Sequence, residues 1–513
     1  MKNKLLYLLI LFSIFISISS ISFSETLSTS YLQNNANAAE PMTILGIYVH
    51  GFFLTFAVGL PYLVLTYEFL GIGKNDKTYL NAAKRLSLVW GVSFGIGAAT
   101  GTLVEFGLVQ VWSGTLLAIA TFFFAPLTLE LYAFMLEIVF VVVYIFTWDI
   151  NKPSYRHLIL GIILAFGSNL SAYMILAVNA FMNVPWGTGN LVSQILPWSP
   201  SYGPNYVNTN ALVSLYEYLN KYHTLSLASS GLFLSTGTIL YNQWVVFYNP
   251  DLYATFFHTV LATIVISSFE ASAFLGLDMI RNKDFSGYRK KLLKVSFGVG
   301  AIASILIPIS GDYMGRIVYQ FQYLKFLAFE GFGPNGGKDP IMGILLYGNP
   351  NYYFKGYNYL LSLAQNSIDP TNAINSILYI ENQFQPWAFY VYWTMVISGI
   401  ILFIFAIAYF GFYIKWIENI IKIIFRMDIT KFISYASLIA PILGIIAASS
   451  GWAVREAGRH PWVIYGLIQY WQVITPDPIT PLLSILIIMV ELIILILGSW
   501  AIIYVIRRRD KND

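Results

Sequence analysis

The chain has 513 residues, of which 57% are apolar and 11% charged, and its mean hydropathy is +0.66. A soluble globular chain carries roughly 25% charged residues, so this composition indicates a membrane protein. The net charge of +4 gathers into no basic face, which argues against a nucleic-acid partner. Cysteine is absent, excluding disulfides, thiolate metal sites and Cys-held iron–sulfur clusters.

Lys2 and Lys4 precede an apolar run from Leu5 to Ile21. A polar Ser/Thr/Asn stretch then ends in Ala36-Asn37-Ala38. This pattern reads as a signal peptide over 1–38, with an uncleaved anchor helix as the alternative. Nine apolar stretches follow: 44–72, 86–112, 115–147, 157–182, 253–280, 293–310, 386–413, 432–453 and 479–506. Each is long enough for a hydrocarbon core of about 30 Å. They are expected to be helices, because an open strand in lipid leaves backbone groups unpaired. The fold expected is an all-α integral membrane bundle of nine transmembrane helices.

Lys and Arg set the orientation. With the mature N-terminus outside, the inner segments hold 20 basic residues and the outer segments 7. The positive-inside rule therefore favours N-out and C-in. Two long polar and aromatic loops, 183–252 and 311–385, fall outside and are expected to form ordered caps. The organisation is thus 1–38 as signal segment, 39–310 as helices one to six with the first loop, 311–385 as the second loop, and 386–513 as helices seven to nine. No internal repeat and no soluble domain is visible.

An ionisable side chain inside the membrane costs several kcal/mol and is a functional candidate. His50, Glu105, Glu130, Glu137, His258 and Glu270 qualify. On this topology His50, His258, Met395, Glu456 and Arg459 all lie towards the outer leaflet. Imidazole is the common axial ligand of haem iron, and a His/Met pair saturates the iron. An iron with one protein ligand keeps a position open for oxygen. Glu130 and Glu137 are seven residues apart and share one helix face. That spacing suits a proton path and equally a transporter's ion site. From composition and spacing alone, oxidase, transporter and channel all remain open.

Gly451-Trp452-Ala453-Val454-Arg455-Glu456-Ala457-Gly458-Arg459-His460-Pro461-Trp462 resembles the subunit I signature of cytochrome bd quinol oxidases. Ala125-Pro126-Leu127-Thr128-Leu129-Glu130, followed by Ala133-Phe134-Met135-Leu136-Glu137, is similar to that family's third helix. Gly167-Ser168-Asn169-Leu170-Ser171-Ala172 with Asn179 resembles the fourth, Thr100-Gly101-Thr102 with Glu105-Phe106 the second, and Phe257-His258-Thr259-Val260 the fifth. Gln322-Tyr323-Leu324-Lys325 with Ala328-Phe329-Glu330-Gly331 looks like the start of its quinol-binding loop. The resemblance runs from about residue 44 to 506.

The resemblance implies a quinol:oxygen oxidoreductase that generates a proton motive force without pumping. His258 and Met395 would ligate a low-spin haem b. His50 and Glu456 would serve a high-spin haem b and a haem d, or another haem at the oxygen site. Glu130 would face the oxygen-reducing haem, and Glu137, Glu105 and Ser171 would supply protons. Arg459 would balance haem propionates, Trp452 would pack between haems, and Lys325 and Glu330 would border the quinol site. The implied partners are quinol, molecular oxygen, the lipid bilayer, and a second membrane subunit or a homodimer. The implied location is the plasma membrane of a prokaryote. Trp393 stands where the family commonly has an Arg, and His460 where it has a Gln. A haem-bearing relative without oxidase activity and a secondary transporter are the rival readings.

Overall fold

The computed structural model describes residues 28–122, 124–148, 154–222 and 239–507. Lys2, Lys4 and the apolar run to Ile21 lie outside the described residues, as does Lys152. Among the described residues, nine helices are long and apolar enough to cross a membrane. They are α1 (Thr29–Lys74), α2 (Lys77–Gln110), α3 (Phe124–Thr147), α4 (Tyr155–Asn183), α5 (Pro250–Asn282), α6 (Gly287–Phe321), α7 (Gln385–Tyr409), α8 (Ile429–Ala457) and α9 (Pro481–Arg507). The all-α bundle read from the sequence is therefore the observed fold.

Short polar residues set the ends. The side chains of Ser28, Asp76, Asn249 and Asp428 accept backbone N–H groups at the starts of α1, α2, α5 and α8. Asn75 and Lys283 stop α1 and α5 in the left-handed region, with φ of 49° and 51°. Pro61, Pro308 and Pro441 lie inside helices, where packed neighbours make them tolerable. Gly59 lets α1 cross α5 backbone to backbone, since a Cβ there would strike the Thr263 carbonyl.

The expected boundaries shift in three places. The apolar run 115–147 is not one helix: Ser113–Phe122 forms a separate short helix, and α3 begins at Phe124. Leu117, Ala118 and Phe122 are fully buried in a protein core, so that segment is apolar because it packs on other side chains. An unbroken apolar run does not distinguish the two cases. Second, α6 continues to Phe321, so Gly311 to Arg316 is helical rather than loop. Third, α1 begins at Thr29 and runs unbroken through Ala36-Asn37-Ala38. There Asn35 donates to the carbonyls of Thr475 and Asp477 and accepts from the Ile479 N–H.

The two long loops fold into a cap on the face where α1 begins, joined by the segment between α8 and α9. Two antiparallel hairpins (Thr188–Gly189 with Tyr202–Asn205, and Gly336–Lys338 with Tyr353–Lys355) and several short helices build it. Tyr202, Leu215, Tyr357 and Trp462 centre its core. This is the loop face; the opposite one carries short connections. There the helix Lys415–Phe425 links α7 to α8, burying Ile421 while exposing Trp416, Ile423 and Ile424.

Candidate functional site

His50 on α1 and His258 on α5 lie at matching depth, each 24 residues from the short-connection end of its helix (50 to 74, and 258 to 282). Both rings have Nδ1 engaged by a neighbouring helix. His50 Nδ1 faces the Gly97 carbonyl at 3.1 Å and Thr100 Oγ1 at 3.2 Å. His258 Nδ1 faces Ser310 Oγ at 3.0 Å. A hydrogen bond at Nδ1 directs Nε2 outward as the ligating atom, the usual arrangement around a metal-bound imidazole. Met395 on α7 meets α8 at Gly451, where a Cβ would come within 2.9 Å of its sulfur. The glycine lets the thioether pack closely against α8.

A polar network surrounds Glu456 in the last turn of α8. Asn179 Nδ2 donates to Glu456 Oε1 at 2.8 Å, and Arg459 Nη2 donates to Oε2 at 2.8 Å. Arg455 reaches back to α5, pairing with Asp251 at 2.7 Å, while its Nε donates to Asn179 Oδ1 at 2.8 Å. The other terminal nitrogen of Arg459, Nη1, is buried with no hydrogen-bond partner among the described residues. An orphaned guanidinium donor is costly to bury, and it fits an anionic group such as a haem propionate. Trp393 Nε1 is likewise buried and unpartnered. The residues thus fit haem: two imidazoles with Nδ1 engaged, a thioether, and free donors for carboxylates among the described residues. Trp452 is partly buried against a cluster from α4 and α5.

The two carboxylates of α3 are paired with α4. Ser171 Oγ donates to Glu130 Oε1 at 3.0 Å, and Ser168 Oγ donates to Glu137 Oε1 at 2.5 Å. Glu105 on α2 is exposed on the bundle surface. Glu270 keeps one carboxylate oxygen buried without a hydrogen-bond partner among the described residues.

Lys325 and Glu330 lie on the short cap helix Tyr323–Glu330. Five residues apart, they point about 140° from each other. Lys325 is buried and donates to the Arg455 carbonyl (2.7 Å), Gln322 Oε1 (3.1 Å) and Asn183 Oδ1 (3.4 Å). Three acceptors match the three protons of an ammonium. Burial, with Arg455 nearby, holds its pKa well below the ordinary lysine value, while Glu456 and Asp251 oppose the shift. Burial and Asp339 raise Glu330 to about 7. His460 borders a polar cavity of about 470 Å³ with Glu40, Tyr379 and Tyr470. Burial and Arg459 lower it to about 4.

Sequence reasoning missed several participants. Asp251 lies at a helix start, and Ser310 is an unremarkable hydroxyl until α5 and α6 are docked. Glu68, His157 and Glu491 are ionisable residues inside spans, and the rule that singled out Glu130 would have found them.

The chain matches the family described as cytochrome bd terminal oxidase subunit I over residues 42–512. It is 24% identical over 472 residues to a Bacillus subtilis chain provisionally named a cytochrome bd menaquinol oxidase subunit I, covering 89% of this chain and 92% of that one. It is 23% identical to the cytochrome bd ubiquinol oxidase subunit 1 of the same organism, covering 90% and 91%. Its fold is similar to the solved bd oxidase from Geobacillus thermodenitrificans, with a TM-score of 0.70 at 21% identity, covering 93% of this chain and 99% of the other.

Proposed function

The chain belongs to the cytochrome bd terminal oxidase subunit I family, and on that premise we propose a role for each residue of its site. It is a subunit of a quinol:oxygen oxidoreductase and a multi-pass membrane protein. Its family is haem-containing. In the proposed assignment, His258 and Met395 hold a low-spin haem b from α5 and α7. His50 and Glu456 hold the high-spin pair, a haem b and a haem d. Arg459 presents its free Nη1 to a propionate, and Trp452 packs beside the haems. The single observation that carries this reading is that His50 and His258 each have Nδ1 engaged by a neighbouring helix, which leaves Nε2 as the nitrogen available to a metal.

When bound, the haems accept electrons from quinol and reduce oxygen to water. The loop face is the outer face in this reading. Quinol docks at the cap beside Glu330 and releases its protons there. Lys325, tied to the Arg455 carbonyl, couples the cap to the helix that carries Glu456. Protons for water enter from the opposite face along Glu137 and Glu130, held by Ser168 and Ser171, with Glu105 alongside. Charge then separates across the plasma membrane without a pump. A second membrane subunit, or a second copy of this chain, completes the enzyme.

The test is a dithionite-reduced minus air-oxidised visible spectrum of the purified protein, repeated with carbon monoxide. Haem b bands with a red-shifted, CO-sensitive haem d band are expected. Haem bands without a CO response would instead mark a relative whose irons are all capped. A folded sample with no haem bands would overturn the assignment.

A further inference from the structure

The meeting faces of α3 and α4 carry a third polar rung beyond Glu130–Ser171 and Glu137–Ser168. Towards the short-connection face, Tyr144 of α3 stands opposite His157 of α4, and Glu68 of α1 joins them. Glu68 Oε1 lies 2.6 Å from His157 Nδ1, and the Tyr144 hydroxyl donates to Glu68 Oε2 at 2.6 Å. His157 Nε2 lies 3.0 Å from the Tyr144 carbonyl. The three residues are 0%, 1% and 0% exposed, so their hydrogen bonds are made to one another and not to bulk water. Tyr144 stacks on the imidazole, and Trp148 covers its edge.

The hydrogen-bond inventory fixes the proton count. A carbonyl only accepts, so Nε2 carries a hydrogen. Between Nδ1 and Oε1 there is one further proton, which sits on the imidazole or on the carboxyl with the contact intact either way. That is a buried, transferable proton held at short range. Its position continues the row. Residues 130, 137 and 144 are spaced by seven on one face of α3, about 10.5 Å per step at 1.5 Å per residue. Residues 157, 168 and 171 share the opposing face of α4. The step from Tyr144 to Glu137 is therefore as long as the step from Glu137 to Glu130.

We propose that Glu68, His157 and Tyr144 form a proton-holding station that reloads Glu137 during turnover; this rests on the reading of Glu137 and Glu130 as the proton path. One proton leaves the Glu68–His157 pair for the Glu137 carboxylate, and one from the adjacent aqueous phase replaces it. No electron moves in the step. Buried Val141 and Leu164 lie between the two rungs, so the proton crosses this step on water that enters transiently between the helices, one hydrogen-bond length at a time. Glu68 is the carboxylate bonded to His157 among the described residues. Lys74, Lys77, Lys84, Arg85 and Arg156 supply the charge at the same helix ends.

The test compares Glu68→Gln, Tyr144→Phe and Glu137→Gln in the assembled, haem-loaded oxidase. Glutamine keeps the shape and both hydrogen bonds of Glu68 but carries no transferable acid proton. Three readouts are taken: the rate of haem reduction by quinol, oxygen consumption, and proton uptake by a pH-indicating dye after oxygen is added to reduced enzyme. Glu68→Gln should keep haem content and haem reduction while uptake and oxygen consumption fall about tenfold or more. Tyr144→Phe should slow the same two readouts less. Wild-type uptake in Glu68→Gln, with Glu137→Gln slowed, overturns the station and leaves the path. Wild-type uptake in Glu137→Gln overturns the path itself. Should Glu68→Gln fail to assemble, an assembled Tyr144→Phe with wild-type uptake overturns the station as well.

Discussion

Asn179 and Glu456 are joined side chain to side chain: the Asn179 amide donates to Glu456 Oε1 at 2.8 Å, while its own Oδ1 accepts from Arg455 Nε at 2.8 Å. One residue of α4 thus sets the position of a carboxylate on α8 and, through Arg455, ties it to Asp251 on α5. Removing Asn179 leaves Arg455 Nε without an acceptor in a buried place, which costs about 1–3 kcal/mol. Asn179→Ala is expected to lower the thermal midpoint and to reduce haem content at the Glu456 site, read as haem per polypeptide. Unchanged haem content would show that Glu456 is held by Arg459 alone.

Trp393 presents a buried indole N–H with no hydrogen-bond partner among the described residues, two residues before Met395. A donor to a propionate offsets its negative charge and favours reduction of the haem. Trp393→Phe keeps the ring and removes the donor, so the low-spin haem midpoint should fall; Trp393→Arg should raise it. Redox titration of the haem b bands checks both. A midpoint unmoved in either variant would mean that the indole faces no propionate.

Much of this architecture is legible in the sequence because the membrane imposes long apolar runs. The nine helices and the capping loops follow from that constraint. What hides is whatever depends on which apolar run meets lipid and which meets protein. Ser113–Phe122 reads as part of a span because Leu117 and Phe122 are apolar, yet they pack into the cap. Candidate ligands are legible as residue types, His50, His258 and Glu456 among them. Their partners are not: Ser310, Asn179 and Asp251 act only once α4, α5, α6 and α8 are docked. Glu68 and His157 are a different case, visible as ionisable residues within spans but separated by 89 positions, so their pairing appears only in three dimensions.

Glu330 makes the cap pH-sensitive. Burial, then Asp339, raises its pKa from 4.5 to about 7. Between those values the folded state binds more protons than the unfolded state. Its contribution is therefore fully present below pH 4.5 and is lost as pH rises through about 7. Glu330→Gln should flatten that part of the pH dependence of the thermal midpoint and make the variant relatively more stable above pH 7. If Glu330 also borders the quinol, the KM for quinol should change in the variant while haem content does not. An unchanged pH profile would place its carboxyl in water.

Glu137 sits at the middle of the α3–α4 row, bonded to Ser168, with Glu130–Ser171 one step towards the proposed haems and Tyr144–His157 one step away. It is buried, and residues 134–136 and 138–141 of α3 carry no other acid. Any proton that follows the row must pass it. Glu137→Gln preserves volume and the serine hydrogen bond but carries no acid proton, so oxygen consumption and membrane-potential generation in proteoliposomes should both fall, by about tenfold or more. Haem reduction by quinol, which needs no proton from this side, should keep its rate. A parallel loss of haem reduction would assign Glu137 to the packing of α3 on α4 instead, and full turnover would move the proton entry elsewhere in the bundle.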